Sequence, residues 1–340
     1  MVLNKEDKEL RNPMILAGDI GGTNTRLGIF EQSGSELCLV RQKKQASTGW
    51  QDLVPVIYDF LKNAGVSPEE IESGCLSFAG PIQDNHCQLT NLGKTIDLER
   101  VQKSINIETR LSFCNDLVAL GYGLLSLKPS QLDCLTTKKS ACSYTHLPSF
   151  NRAILAPGTG LGESLIIEEQ YVMPTEGAHG DFAPRSELEV RLWRFLHLEF
   201  GHVSNERILS GPGLTRLYRF FLNEAGKDDQ TSSLLSPEVI TQKAIAKSCP
   251  VCEHALNLFL EILGAEAGNL ALRSLAFGGI YLGGGIVPKL LPQLHEGRFL
   301  NAFYDKGRFC ELLESIPVYV ILDEKTALYG AARYAILQRD

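Results

Sequence analysis

Short apolar runs bounded by polar or glycine-bearing residues alternate along this chain with stretches whose apolar positions recur every three or four residues. The first kind reads as strand and the second as helix, and the alternation predicts an α/β fold. Residues 13–20, 25–31 and 36–42 predict a three-stranded meander, 51–63 a helix, 74–79 a strand, 97–104 a short helix and 109–114 a strand. A further helix covers Leu117–Leu125, with Asp116 near its cap position. Residues 134–151, rich in Ser, Thr and Lys, read as a loop or insertion.

The opening pattern then returns. Arg152–Pro157 predicts a strand, Gly158-Thr159-Gly160 a turn and Leu161–Glu168 a strand, echoing the strand, glycine-threonine turn and strand of residues 14–30. Two such hairpins could cradle one ligand from both sides. Ser186–Phe200, Gly213–Asn223, Pro237–Ser248 and Cys252–Leu275 carry helical spacing. In the last, Leu256, Phe259, Leu263 and Leu270 lie near one face and read as buried core. A strand at Gly279–Leu282 runs into Gly283-Gly284-Gly285, followed by a strand at Ile316–Leu322 and a closing helix at Lys325–Leu337. The order predicts a small α/β domain from residues 1–126 plus 323–340 and a larger, helix-rich α/β domain from 127–322, with the ligand in the cleft between them.

Composition narrows the partners. The 340 residues are 44% hydrophobic and 21% charged, an ordinary globular mix. A net charge of −7 and the lack of a long basic run argue against nucleic acid or an anionic membrane as partner. An anionic ligand must therefore be held by local backbone dipoles and metal. No apolar run is read as a membrane span, and Met1–Arg11, charged and mixed in sign, reads as a short solvated arm and not a secretory signal. The nine cysteines are odd in number and scattered through apolar segments, as at Cys75, Cys114 and Cys310, which predicts reduced thiols and a cytoplasmic location. The close pair Cys249 and Cys252, with only His254 nearby, reads as incidental and not as a zinc site.

Four strand ends carry candidate chemistry. At the first, Asp19 precedes Gly21-Gly22, and adjacent glycines permit a sharp hairpin with φ > 0 whose uncovered N–H groups hold phosphate oxygens. Asp19 is placed to meet Mg²⁺ or its waters; the bland alternative is an ordinary Gly-Gly hairpin. Asn115-Asp116 is the second, with Asp116 as either a reactive carboxylate or a helix cap. Gly158-Thr159-Gly160 is the third, and Gly283-Gly284-Gly285, which would admit a ring or ribose close to the backbone, is the fourth. No P-loop pattern occurs, and Gly158–Gly162 leads into a strand, unlike a dinucleotide fingerprint. Glu176 and His179 have di-iron spacing, yet Pro174, Gly177 and Gly180 argue against the helix that spacing needs. Arg26 reads as solvated, His197 and His202 as surface or cap residues, and Asp181 and Pro184 as loop-shaping.

The chain resembles the bacterial-type ATP-dependent glucokinases, within the superfamily of hexokinase, actin and the Hsp70 ATPase domain. The matching stretches are Gly18–Asn24, Phe113–Asp116, Ala156–Gly162, Glu176–Pro184, Gly201–Gly213 and Phe277–Pro288, and the likeness runs from about Met14 to about Ala335. The stretch 201–213 is the most family-specific. The resemblance implies a two-domain actin-like (ribonuclease H-like) ATPase fold and phosphorylation of glucose by ATP and Mg²⁺ to glucose 6-phosphate. It implies Asp116 as base toward the attacking hydroxyl, with Asn115, Glu176, His179 and Glu206 holding the sugar. It further implies that Gly18, Asp19, Ile20, Gly21, Gly22, Thr23 and Asn24, with Gly158, Thr159 and Gly160, hold phosphates, and that Gly283, Gly284 and Gly285 lie near the adenosine. An Asp at a helix N-terminus stays ionised and can accept a proton late in phosphoryl transfer.

Ala178 departs from the family's usual glycine; a φ > 0 there would strain the loop, with Gly180 as compensation. No cysteine-rich zinc motif lies near His179, so no structural zinc is expected. Competing readings are a kinase for another hexose or hexosamine, a non-catalytic sugar-sensing regulator, and an actin-like scaffold. Too few residues precede the first strand for a helix-turn-helix. A homodimer is the default assembly.

Overall fold

A computed structural model describes residues 13–34, 36–89, 93–105, 111–136, 150–226 and 235–339. The N-terminal arm and residues 137–149 of the polar segment lie outside the described residues. The chain divides into two compact units, one reaching Leu127 and resuming at Lys325, the other Lys128–Glu324.

The first unit is built on a five-stranded sheet. Its strands are β1 (Met14–Ile20), β2 (Asn24–Ser33), β3 (Glu36–Ala46), β4 (Ile71–Phe78) and, after a small hairpin sheet, β8 (Leu111–Asn115). The order is β3-β2-β1-β4-β8, with the meander antiparallel and β1, β4 and β8 parallel. Alternation along the strands divides the faces. Leu16, Ile20, Leu27 and Ile29 pack on the helix Leu53–Ala64, whose Asp52 cap and left-handed Gly65 fix its ends. On the opposite face Phe30 meets Tyr329 edge-on, so the C-terminal helix Thr326–Leu337 covers that side. The small sheet of β5 (Ile82–Gln83), β6 (His86–Leu89) and β7 (Lys94–Asp97) has no counterpart in the sequence reading. Its strands are too short and polar to show a period, though Cys87, Leu89 and Ile96 are buried beneath it.

The second unit repeats the plan. A three-residue strand β9 (Leu132–Cys134) precedes β10 (Arg152–Pro157), β11 (Leu161–Ile167) and β12 (Tyr171–Thr175); β13 (Ile280–Leu282) and β14 (Val318–Ile321) complete the sheet. Its order is β12-β11-β10-β13-β14-β9. Here too an antiparallel three-strand meander abuts strands parallel to its first member. Strands β1, β2, β3, β4 and β8 thus correspond to β10, β11, β12, β13 and β14. The echo in the sequence is one of topology, although β12 was not foreseen. Short helices at Asn205–Ile208, Leu291–His295, Arg298–Tyr304 and Cys310–Glu314 were also not foreseen, because fewer than two turns leave little periodicity.

The helix Pro250–Ser274 crosses the core of the second unit, burying Leu256, Phe259, Leu263 and Leu270 as the spacing predicts. Among the described residues it is long and apolar enough to span a membrane on composition, which the sequence reading overlooked. Of its most apolar window, 78% is buried within the fold, and it carries the buried Glu266, so it is a core helix.

Candidate active site

In the first unit the carboxyl ends of the parallel strands β1, β4 and β8 lie side by side, with Asp19 in register with Ser77 and Ser77 with Cys114. Ligands of open α/β sheets bind beyond such ends. The turn between β1 and β2 is closed by Gly21 N–H donating to the Asn24 carbonyl (2.9 Å). Neither Gly21 nor Gly22 adopts φ > 0, contrary to the expected sharp hairpin. Strand pairing stops at Ile20 with Thr25, leaving four residues in the turn, and a connection of that length needs no left-handed residue.

The turn is held from behind. Trp50 Nε1 donates to Thr25 Oγ1 (2.9 Å), which lies 2.9 Å from Ser47 Oγ, and Ser47 Oγ donates to the Gly21 carbonyl (2.7 Å). Ser47 N–H also donates to the Thr23 carbonyl at 2.9 Å. Thr23 and Asn24 are exposed. Gly18 and Ile20, expected among the phosphate contacts, are instead packed in the sheet: Leu76 Cδ2 lies 2.6 Å from where a Cβ on Gly18 would stand, and Ile20 is fully buried.

Burial pushes the Asp19 carboxyl up to about 6, against the pull of Arg26, its cross-strand neighbour. Arg26 is therefore half-buried and paired in charge with Asp19, not solvated as expected. A desolvated carboxylate with one partial counter-charge fits a hard cation.

Asn115 and Asp116 follow at the end of β8. Asn115 is the N-cap of the helix Asp116–Leu124, its Oδ1 accepting from Leu117 N–H (2.8 Å). Asp116 is the first helical residue, and its Oδ1 accepts from the same N–H at 2.9 Å. Capping is thus the task of Asn115, which retains its amide donors for other contacts. Asp116 occupies the turn where the helix dipole favours an anion. A hydrogen bond to Cys75 and burial raise the Cys114 thiol, and the charges of Asp116 and Asp19 both add to this. Both carboxylates therefore act on one thiol.

The second unit gathers the remaining candidates. Gly158 N–H donates to the Gly160 carbonyl (2.7 Å), and Gly211 N–H to the Gly158 carbonyl (2.8 Å). Glu206, in the first turn of the helix capped by Ser204, accepts from Leu161 N–H (3.0 Å), and a Cβ on Gly160 would stand 2.5 Å from its Oε2. A side chain at 160 would displace that carboxylate. The triple glycine joins the same cluster: Gly283 N–H donates to the Leu155 carbonyl (3.0 Å), and Gly284, at φ +80°, would place a Cβ 2.4 Å from the Pro157 carbonyl. Gly284 and Gly285 are exposed and Gly283 is buried.

Glu176 precedes the short 3₁₀ turn Gly177–His179 and His179 ends it; both are exposed, with Glu176 Oε2 3.8 Å from His179 Nε2. Asn205 N–H donates to the Gly180 carbonyl (3.1 Å), which ties this loop to the segment bearing Glu206. Ala178 is buried and has a negative φ, so the feared strain does not arise. His197 stacks on Trp193 with ring centroids 4.5 Å apart, and His202 Nε2 lies 3.0 Å from Asp181 Oδ1.

The model of the family described as glucokinase matches residues 16–338. The chain belongs to the glucokinase family. The glucokinase of Nostoc sp. strain PCC 7120 is 39% identical, over 94% of this chain and 98% of that one. That of Trichormus variabilis strain ATCC 29413 is 38% identical over the same shares, 94% and 98%. A crystal structure of a glucokinase from an Antarctic psychrotroph matches with a TM-score of 0.79 at 29% identity, covering 96% of this chain and 99% of that one. The fold is thus that of the two-domain sugar kinases.

Reading the sequence of this glucokinase-family chain missed four supports of the site: Arg26 beside Asp19, the Trp50–Thr25–Ser47 chain behind the first turn, Gly177, and the buried Glu163 on β11. Glu163 alone left a signal, as an acidic residue inside the apolar run 161–167.

Proposed function

We propose that the chain phosphorylates glucose with ATP and that Asp116 is the base in that step. The observation that carries this is the position of Asp116 at a helix N-terminus, at the end of a strand parallel to the one bearing Asp19. Mg²⁺ arrives with ATP as part of the substrate, held by Asp19 directly or through water, and neutralises charge on the phosphates. The turns Gly21–Asn24 and Gly158–Gly160, exposed at Thr23, Asn24 and Thr159, offer backbone N–H groups and hydroxyls to phosphate oxygens, and Gly284 and Gly285 leave room beside the adenosine. Asn115, Glu176, His179 and Glu206 supply the mixed donors and acceptors a polyol requires. As the bond from the 6-oxygen to the γ-phosphorus forms and the bridging oxygen departs with ADP, Asp116 takes the hydroxyl proton.

The test is a coupled ADP-release assay on the wild type and on Asp116→Asn with a panel of hexoses and hexosamines. Glucose-dependent ADP release lost in the variant, with glucose binding kept, supports the assignment; normal turnover in the variant removes Asp116 from the mechanism. All eight described cysteines are free, and Cys75 and Cys114 remain unbridged with Sγ atoms 3.5 Å apart, which supports a reducing, cytoplasmic setting. Assembly as a homodimer follows the usual symmetry of soluble enzymes, and a light-scattering mass near one chain would reject it.

A further inference from the structure

Beneath the loop Glu176–Gly180 lies a buried acid with no part in the scheme above. Glu163 is 2% exposed, and its Oε2 stands 2.4 Å from where a Cβ on Gly177 would be. Thr175 Oγ1 donates to the Glu163 carbonyl (3.3 Å) and accepts from Gly177 N–H (3.2 Å). The turn is therefore tied to the Glu163 backbone through Thr175, and the Glu163 carboxyl lies against Gly177. Behind it, the charge of Glu266, itself 3% exposed, acts on the Glu163 carboxyl. Among the described residues nothing bonds to Glu163 Oε1. Two buried carboxyls that act on each other do not both ionise freely.

Glu266 also accepts from Asn269 Nδ2 (2.9 Å) and pairs with Arg273, while Lys306 Nζ donates to Asn269 Oδ1 (2.6 Å). Glu266, Asn269, Lys306, Phe182 and Asn205 line a cavity of about 90 Å³. Asn205 precedes Glu206 and holds the Gly180 carbonyl. The buried pair thus underlies both segments that carry hexose-binding candidates.

We propose that Glu163 is a positioning residue for hexose binding: with Glu266 it supports the turn Gly177–His179 and through it sets Glu176 and His179. The proposal rests on reading Glu176 and His179 as sugar ligands. Burial, then the charge of Glu266, push the Glu163 carboxyl up to about 7, against Arg273. Below that pH one proton joins the pair. Above it two anions face each other under Gly177, with Arg273 and Lys306 as the nearby cations and Glu176 and His179 on the loop above.

Glucose affinity should accordingly weaken on the alkaline side. The experiment measures glucose and ATP KM values, and glucose binding by calorimetry without ATP, across the neutral and alkaline range. For the wild type, glucose KM should rise about tenfold over two pH units above neutrality while ATP KM stays within about twofold. Glu163→Gln, uncharged at every pH, should match the wild type near neutrality and lose the alkaline rise. Glu163→Ala should raise glucose KM about tenfold at all pH values. An unchanged alkaline rise in Glu163→Gln, or equal changes in both KM values, overturns the proposal. Should the alanine variant fail to fold, the glutamine profile decides alone. A wild type that neither binds nor phosphorylates glucose would instead remove the functional reading beneath it.

Discussion

The turn Gly21–Asn24 is fastened by a chain of hydroxyls and an indole reaching in from Ser47, Thr25 and Trp50. Its counterpart Gly158–Gly160, between the equivalent strands of the second sheet, is fastened by the carboxylate of Glu206 and by the amide of Gly211. A Cβ on Gly21 would meet only the Asn24 carbonyl, at 3.3 Å, whereas one on Gly160 would stand 2.5 Å from the Glu206 carboxylate. Glycine in the first turn leaves its surroundings nearly open; glycine in the second makes room for a side chain that is itself a candidate ligand. One strand-turn-strand pattern therefore serves two physical ends. Their acids differ as well. Asp19 precedes the first turn and is partly balanced by Arg26; Glu163 follows the second and faces another acid.

Asp116→Asn tests whether the first unit holds the base, and it should lower kcat by about 10³-fold with glucose binding nearly intact, read by steady-state kinetics and calorimetry. The contrast between the acids is sharpened by Glu163→Gln. In the wild type Glu163 rises from 4.5 to about 7 on folding, so the folded state holds the extra proton between those values. Stability from this group is greatest below pH 4.5 and falls as pH rises to about 7, by about 3 kcal/mol, then levels. Denaturant titrations of the glutamine variant should lack that slope. Gly160→Ala should displace Glu206 and raise glucose KM about tenfold, while Gly21→Ala should leave glucose KM unchanged; equal responses would erase the distinction between the turns. Ser47→Ala loses two hydrogen bonds behind the first turn, costing about 1–3 kcal/mol in denaturant stability and raising ATP KM but not glucose KM. Ala178→Gly should change least, destabilising by under about 1 kcal/mol, because Ala178 already has a negative φ.

Much of the plan was legible in the chain. Apolar runs marked β1, β2, β10 and β11, and the repeated glycine-threonine turns marked the correspondence between the two sheets. Asn115 and Asp116 could be placed at a strand end and a helix start because both boundaries carry local chemistry. The small sheet β5–β7 and the strand β12 escaped because short or edge strands are specified by neighbours more than by their own period. The φ of Ala178, on which strain there was conditional, is set by the 3₁₀ turn around it, which no single residue type dictates.

Composition, period and turn residues by themselves determined the α/β class, the duplicated hairpins and most of the acids and amides put forward for the site. These are local properties, written in spacing along one chain. Only the folded structure decided which glycine has open space beside it and which yields to a carboxylate, that Asn115 rather than Asp116 caps its helix, and that Glu163 feels the charge of Glu266, 103 residues further on. Such choices depend on which distant atoms share a few ångströms of space, and burial then sets the charge each group carries.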